Sequence, residues 1–427
     1  MSVNMWTTEL LDELRHKGDE LADETVKVIF ENRDIEEANK FLVEMIKEED
    51  IDVDKYRTLL PDVHMALERF FEESGKTPDW ADQERIKNAE KLFKKHGMIA
   101  FSLLGCASLP ELYTCGKGGT QVLSMTLELE DHIARRIYET AQWLLAVMAE
   151  GGLDYNRGLR GTGIKRTQKV RLMHAAVRYL ILKDISEEER QQPPRHFGDV
   201  LLKYKWGVRP GQEHNNDEDW GVPIGQEYQG ATLQTFSYVI IRGLRQFGLP
   251  ISDQEANDFI HAWNVVGFHM GVDPVFLRNV NNMEEAELLY DVVMKRNRST
   301  TEVEKKDGIA LTNALMNFLA GMIRSQKVMG RLLPTQRIPR LLTQELVGKN
   351  TAELLGIRLG TFDHFLLAPF RLQMWFMGLF SETTSMGYLA DWKFRVMVNE
   401  LNEMPRGPHR PPFQIPQDLQ GAWQLEQ

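Results

Sequence analysis

The chain has 427 residues, 42% of them hydrophobic and 26% charged, with 51 basic against 62 acidic side chains and a formal net charge of −11. That composition suits a folded protein with a sizeable core, and the acidic balance argues against general nucleic-acid binding, which needs a basic face. Cys106 and Cys115 form no CxxC pair and imply no disulfide framework.

The opening "MSVNMWTTELLDELRHKGDEL" has no basic segment followed by an apolar core, so no export signal is read and a cytoplasmic location is expected. No stretch reaches the ~18 unbroken apolar residues of a membrane span. The nearest, Phe365–Phe380, is interrupted by Pro369, Arg371 and Gln373. It reads as a buried core helix, with a greasy substrate-facing or membrane-facing surface as the alternative. Peripheral membrane contact therefore stays open.

Helical patterning runs through the chain. "TTELLDELRHKGDELADETVKVIFEN" reads as one helical stretch with Thr7 as its cap. "DIEEANKFLVEMIKEED", "LPDVHMALERFFEESGK" and "WADQERIKNAEKLFKKHG" follow, the last two with a closing glycine that predicts a helix stop. "LELEDHIARRIYETAQWLLAVMAEGG" is a long amphipathic helix closed by Gly151 and Gly152, and "GIKRTQKVRLMHAAVRYL" is the next. Residues 187–223, broken by Pro, Gly and Asn, read as a long loop. Helices are predicted again over "GATLQTFSYVIIRGLRQFG", "SDQEANDFIHAWNVVGFHMG", "MEEAELLYDVVMKRN" and "TEVEKKDGIALTNALMNFLAGMIR". "RIPRLLTQELVG", "NTAELLG", "FLLAPFRLQMWFMGLFSET" and "LADWKFRVMVNELNEM" complete the series. The tail from Pro405 is Pro-rich and reads as extended. With no alternating strands and no repeat period, the expected fold is all-α.

Several chemistries are missing from the sequence. "GKGGT" at Gly116–Thr120 lacks the ending and spacing of a phosphate loop. There is no GxSxG, HExxH or GxGxxG, and a single Glu-x-x-His, at Glu13–His16, cannot build a di-iron bundle. The histidines remain. His174 sits inside the apolar stripe Val170, Met173, Val177 and Ile181, among Lys165, Arg166, Lys169, Arg171 and Arg178. By pattern alone it reads as a core histidine before a ligand, and Arg171 and Arg178 as a solvated or salt-bridged face. Haem needs a neutral imidazole in an apolar pocket and cations for its propionates, and this helix holds both residue types. On the preceding helix His132, Arg136 and Thr140 share a stripe with Glu139 at its edge. They read either as an exposed polar face or as a polar cluster facing a ligand.

"ARRIYETAQWL" (Ala134–Leu144) followed by "GIKRTQKVRLMHAAVRYL" resembles the latex-clearing-protein family of rubber oxygenases, which includes the fungal mycophenolate-pathway oxygenase. The resemblance continues in "WGVPIGQEYQGATLQTFSYVIIRGLRQFG", "HAWNVVGFHMGV" and, more weakly, "RIPRLLTQELVGKNTAELLGI" and "KGDELADE". It implies a globin-like helical core with additional N- and C-terminal helices, and one b-type haem per chain with O2 as co-substrate. His174 matches the family's proximal ligand, and Arg136 and Thr140 match its distal Arg and Thr. Lys169, Arg171 and Arg178 become expected cofactor partners. Glu139 stands where the family has lysine, and the region around Thr120 holds no counterpart of the family's catalytic glutamate. Glu139 is read as a candidate base or a surface carboxylate, and His132 as a candidate distal ligand. His196, His261 and His269 are held in reserve.

The expected division is an N-terminal helical extension over 1–95, a haem-binding oxygenase-like domain over 96–404 and a Pro-rich tail over 405–427. The expected function is haem-dependent oxygenation of an apolar, unsaturated, isoprenoid-like substrate with C=C cleavage. The alternatives are a non-catalytic haem or lipid carrier and a haem-free helical interaction protein.

Overall fold

A computed structural model describes residues 5–31, 33–48, 51–124, 131–154, 161–186, 190–191, 201–202, 205–207, 219–325 and 334–360. Among the described residues every regular element is helical. The N-terminal half comprises α1 (Thr8–Arg15), α2 (Glu20–Glu31), α3 (Ile35–Lys47), α4 (Pro61–Ser74), α5 (Gln83–Leu103), α6 (Leu109–Leu112), α7 (Gln121–Ser124), α8 (Asp131–Met148) and α9 (Thr162–Leu182). After them come α10 (Gln226–Phe236), α11 (Tyr238–Gln246), α12 (Asp253–Met270), α13 (Pro274–Asn279), α14 (Met283–Asn297), α15 (Glu302–Ser325), α16 (Ile338–Val347) and α17 (Lys349–Leu354). The helices expected after residue 360, the Pro-rich tail and most of the long loop lie outside the described residues.

Local chemistry starts and stops many of these helices. Thr7 Oγ1 accepts from the Leu10 N–H and opens α1. Ser252 and Glu255 form a reciprocal capping box at α12, which Gly271 closes at φ 78°. Tertiary contacts decide others. The single helix expected over residues 7–32 is instead α1 and α2, because the carbonyls of Arg15 and Lys17 accept from the Val222 and Gln226 N–H groups. Gly97 does not stop α5, which runs on to Leu103 and through a π turn at Leu104–Ser108 into α6. The helix expected over 230–248 breaks at Ser237, whose ψ is −78°.

The division expected at 95/96 therefore falls inside an unbroken helix. The first residues also belong to the main core. Trp6 stacks on Phe276 at 5.3 Å, and Leu11 and Leu14 share one buried cluster with α5, α8, α11 and α12. A second cluster packs Ala22, Val26, Ile29, Phe30 and Phe70 against Leu172, Ala175 and Ile181 of α9. A third gathers Tyr113, Leu311, Leu315 and Leu355 beside Leu123 and Ile137. Helix α9 thus lies between α8, α2 and α12, and all of these positions bear on the site.

Candidate functional site

Helices α8 and α9 form an antiparallel hairpin whose register is pinned at two places. A Cβ on Gly163 would lie 2.8 Å from the Ala146 carbonyl oxygen and the Val147 Cα, so only glycine allows this approach. One turn on, Trp143 Nε1 donates to Thr167 Oγ1 at 3.0 Å. From that bond, two helical turns back along α8 reach Arg136, and two turns on along α9 reach His174. Seven residues return a helix to nearly the same face. Helical periodicity thus places Arg136 and His174 each about two turns from that bond, one on either helix of the hairpin.

His174 is partly buried, and its Nδ1 is enclosed without a hydrogen-bond partner. Desolvation pushes its pKa down to about 4, the Arg178 guanidinium adds to the shift, and Asp19 opposes it. The ring is neutral near pH 7, the form that binds iron. A neutral imidazole of this kind fits a haem ligand. Among the described residues no group of three His, Cys, Asp or Glu side chains stands ready to hold a bare metal ion.

Arg136 donates through Nη1 to the Leu123 carbonyl at 3.2 Å. Burial pulls its pKa below the usual arginine value, against the pull of Tyr113 and Glu139. Glu139 is exposed, and Thr140 is partly buried a little round the helix. His132 belongs to α8, but its side chain lies outside the described residues.

The basic residues expected beside a cofactor are engaged elsewhere. Arg171 meets Asp19 in a bidentate pair, Nε–Oδ2 2.6 Å and Nη2–Oδ1 2.8 Å. Arg178 Nε donates to Asp23 Oδ1 at 2.8 Å, and its Nη1 donates to the Ile224 carbonyl at 3.2 Å. Lys169 Nζ donates to the Glu48 carbonyl. The two guanidiniums are buried, and a buried cation stays with its carboxylate unless a better one replaces it. These contacts fasten α9 to the N-terminal helices.

Of the reserve histidines, His261 Nε2 accepts from the Asp82 N–H at 2.9 Å, and His269 Nδ1 lies 2.7 Å from the Ser74 carbonyl. Both satisfy backbone groups. His196 lies outside the described residues.

Sequence reasoning missed the bracing acids Asp19 and Asp23, and it missed Thr120 and Gln121, whose buried Oγ1 and Oε1 have no partner. Glu227 is completely buried and accepts from Arg15 Nε at 2.7 Å, Arg296 Nε at 2.7 Å and Asn297 Nδ2 at 2.8 Å. Its neighbour Gln226 donates to the Gly18 and Gly271 carbonyls at 2.9 Å each. Both side chains brace the segment 219–225 against α1, α12 and α14. No described helix is long and apolar enough to cross a membrane.

Comparison with known proteins agrees with this architecture. The solved structure of latex clearing protein LCP in the closed state superposes with a TM-score of 0.63 over 94% of each chain, at 17% identity. That likeness covers the fold, which is all-α. The rubber oxygenase of Streptomyces sp. (strain K30) is 20% identical over 263 residues, which is 60% of this chain and 53% of the relative. The chain thus spans about half the length of the curated relative it matches. The model of the family "ER-bound oxygenase mpaB/B'/Rubber oxygenase, catalytic domain" matches residues 116–379, a segment that contains α8, α9, Arg136 and His174. A match over more than half of its length makes this chain a member of that oxygenase family.

Proposed function

We propose that the protein is a haem b-dependent oxygenase acting on an apolar, unsaturated, isoprenoid-like substrate. The observation that carries this reading is His174, a neutral, partly buried imidazole on the helix that follows the one carrying Arg136. Family membership supplies the reaction class. When bound, haem supplies the binding and reductive activation of O2 that a protein side chain cannot.

The chain's own residues do the rest. His174 presents a lone pair without first having to lose a proton, because burial keeps it neutral. Asp19, Asp23, Arg171 and Arg178 hold α9 so that the ring keeps its position. Arg136 places a permanent positive charge in a desolvated setting, where it stabilises negative charge developing on the reacting oxygen. Thr140 adds a hydroxyl donor beside it. Glu139 is exposed, so as a base it exchanges protons with solvent, and its charge also tempers Arg136. C=C cleavage to carbonyl fragments is the proposed outcome, within a cytoplasmic setting.

One observation favours the second reading, a non-catalytic haem or lipid carrier: the carboxylate nearest Arg136 in sequence is exposed, not enclosed. The test begins with the absorption spectrum of protein expressed with added haem. A Soret band that disappears in His174→Ala and persists in His132→Ala supports the oxygenase. Absence of any band refutes haem binding. A band without O2 uptake over a panel of unsaturated lipids selects the carrier.

A further inference from the structure

Helix α7 is a single turn, and its two central residues face different clusters. Val122 packs against the cluster containing Leu172, Ala175 and Ile181 of α9. Leu123 packs beside Ile137, the α8 residue next to Arg136. The Leu123 carbonyl is also the acceptor of Arg136 Nη1. The turn therefore reaches Arg136 of α8 directly, through the Leu123 carbonyl two residues after Gln121.

The residues that lead into this turn are polar and sealed from solvent. Thr120 and Gln121 are both 0% exposed, and Thr120 Oγ1 and Gln121 Oε1 have no hydrogen-bond partner. The amide of Gln121 is oriented, because its Nε2 donates to the Gly116 carbonyl at 3.2 Å and to Asp307 Oδ2 at 3.3 Å. Turning it over would aim Oε1 at two acceptors. The free Oε1 is thus an acceptor that calls for a donor, and the Thr120 hydroxyl beside it in sequence both donates and accepts. Leaving such atoms unpaired is costly, so a site built this way discriminates for the group that satisfies them. A hydroxyl does so; a hydrocarbon leaves both atoms unpaired. A carboxylate offers no proton to Oε1 and meets the nearby Asp307 charge.

We propose that Thr120 and Gln121 recognise the hydroxyl of a neutral unsaturated lipid alcohol bound beside Arg136, an inference that takes its chemistry from the oxygenase reading above. The two residues set specificity; the preferred substrate is an alcohol, not a hydrocarbon or a fatty acid.

The test is calorimetric titration of the full-length protein, without O2, using farnesol, farnesyl methyl ether and farnesoic acid. The expected result is farnesol binding at least about tenfold tighter than either analogue. Thr120→Val and Gln121→Met bring that ratio toward one. Equal binding of alcohol and ether, as when buried water fills the site, overturns the proposal; so does failure of farnesol to bind. A preference that survives in both variants, folded by circular dichroism, also overturns it. If the variants do not fold, the wild-type comparison decides alone. O2 uptake is measured separately: alcohol preference without uptake sinks the oxygenase reading only, and uptake without preference sinks this proposal only.

Discussion

Arg171 on α9 and Asp19 ahead of α2 form a two-pronged ion pair in which the arginine is 8% and the aspartate 5% exposed. The guanidinium also lies 5.7 Å from the Phe70 ring centroid. The pair ties the helix that carries His174 to the start of α2. Removing one partner of a buried pair strands the other charge, which typically costs ~3–5 kcal/mol. Asp19→Ala is expected to lower the denaturation midpoint accordingly, measured in urea. Gly271→Ala should disturb the same pair, since its Cβ would lie 2.3 Å from Asp19 Oδ2 at a φ of +78°. An unchanged midpoint in Asp19→Ala would show the pair to be dispensable.

Glu227 neutralises Arg15 and Arg296 in the interior. Glu227→Ala strands the buried Arg15 and leaves the half-buried Arg296 with Asp12 alone, and a loss of ~3–5 kcal/mol is expected. Glu227→Gln, which keeps the shape and loses the charge, should lose less. Thermal unfolding of the three proteins side by side gives the order.

Acid should weaken the fold. Burial lowers the pKa values of His96, His174 and His261 to about 4 in the folded chain, against 6.5 unfolded. Between those values the unfolded chain binds protons that the folded chain refuses, so stability falls as pH drops through 6.5 toward 4. Each imidazole contributes up to ~1.4 kcal/mol per pH unit in that window. Glu90 works the other way: burial raises its carboxyl to about 7, so its contribution grows as pH falls from 7 toward 4.5. Three depressed imidazoles outweigh one raised carboxyl. The expected result is a melting temperature lower at pH 5 than at pH 7.5, and a higher value at pH 5 would contradict it.

The glycine at the hairpin crossing is the fourth test. Gly163→Val must push α9 away from the Ala146 and Gly152 carbonyls, each 2.8 Å from the Cβ position. The expected effects are a lower melting temperature and loss of the Soret band together. A variant that keeps the band at full intensity would show that the close crossing does not position His174.

Much of this was legible in the sequence wherever a signal is local. The α12 boundaries follow from Ser252, Glu255 and Gly271, and α4 from Pro61 and Gly75. The breaks at Lys17 and Ser237 were not, because backbone groups far along the chain or local geometry decide them. At the candidate site the apolar stripe exposed His174 to view, and the family resemblance singled out Arg136. The partners of Arg171 and Arg178 lie more than 150 residues away, a distance at which charge pattern carries no pairing information. The burial of Thr120 and Gln121 left no trace either, since a short polar turn looks the same whether it is buried or wet.

The wide sequence separation of these pairs governs how the protein has to be made. Arg15 is 212 residues from Glu227, and Asp19 is 152 from Arg171. During synthesis the first two helices leave the ribosome long before their counterions exist, so they wait half-formed for α9 and α10. Such non-local closure is slow. The stretch shared with the family, 116–379, expressed alone, would carry Arg171 and Arg178 without the aspartates that answer their charge, and Glu227 without Arg15.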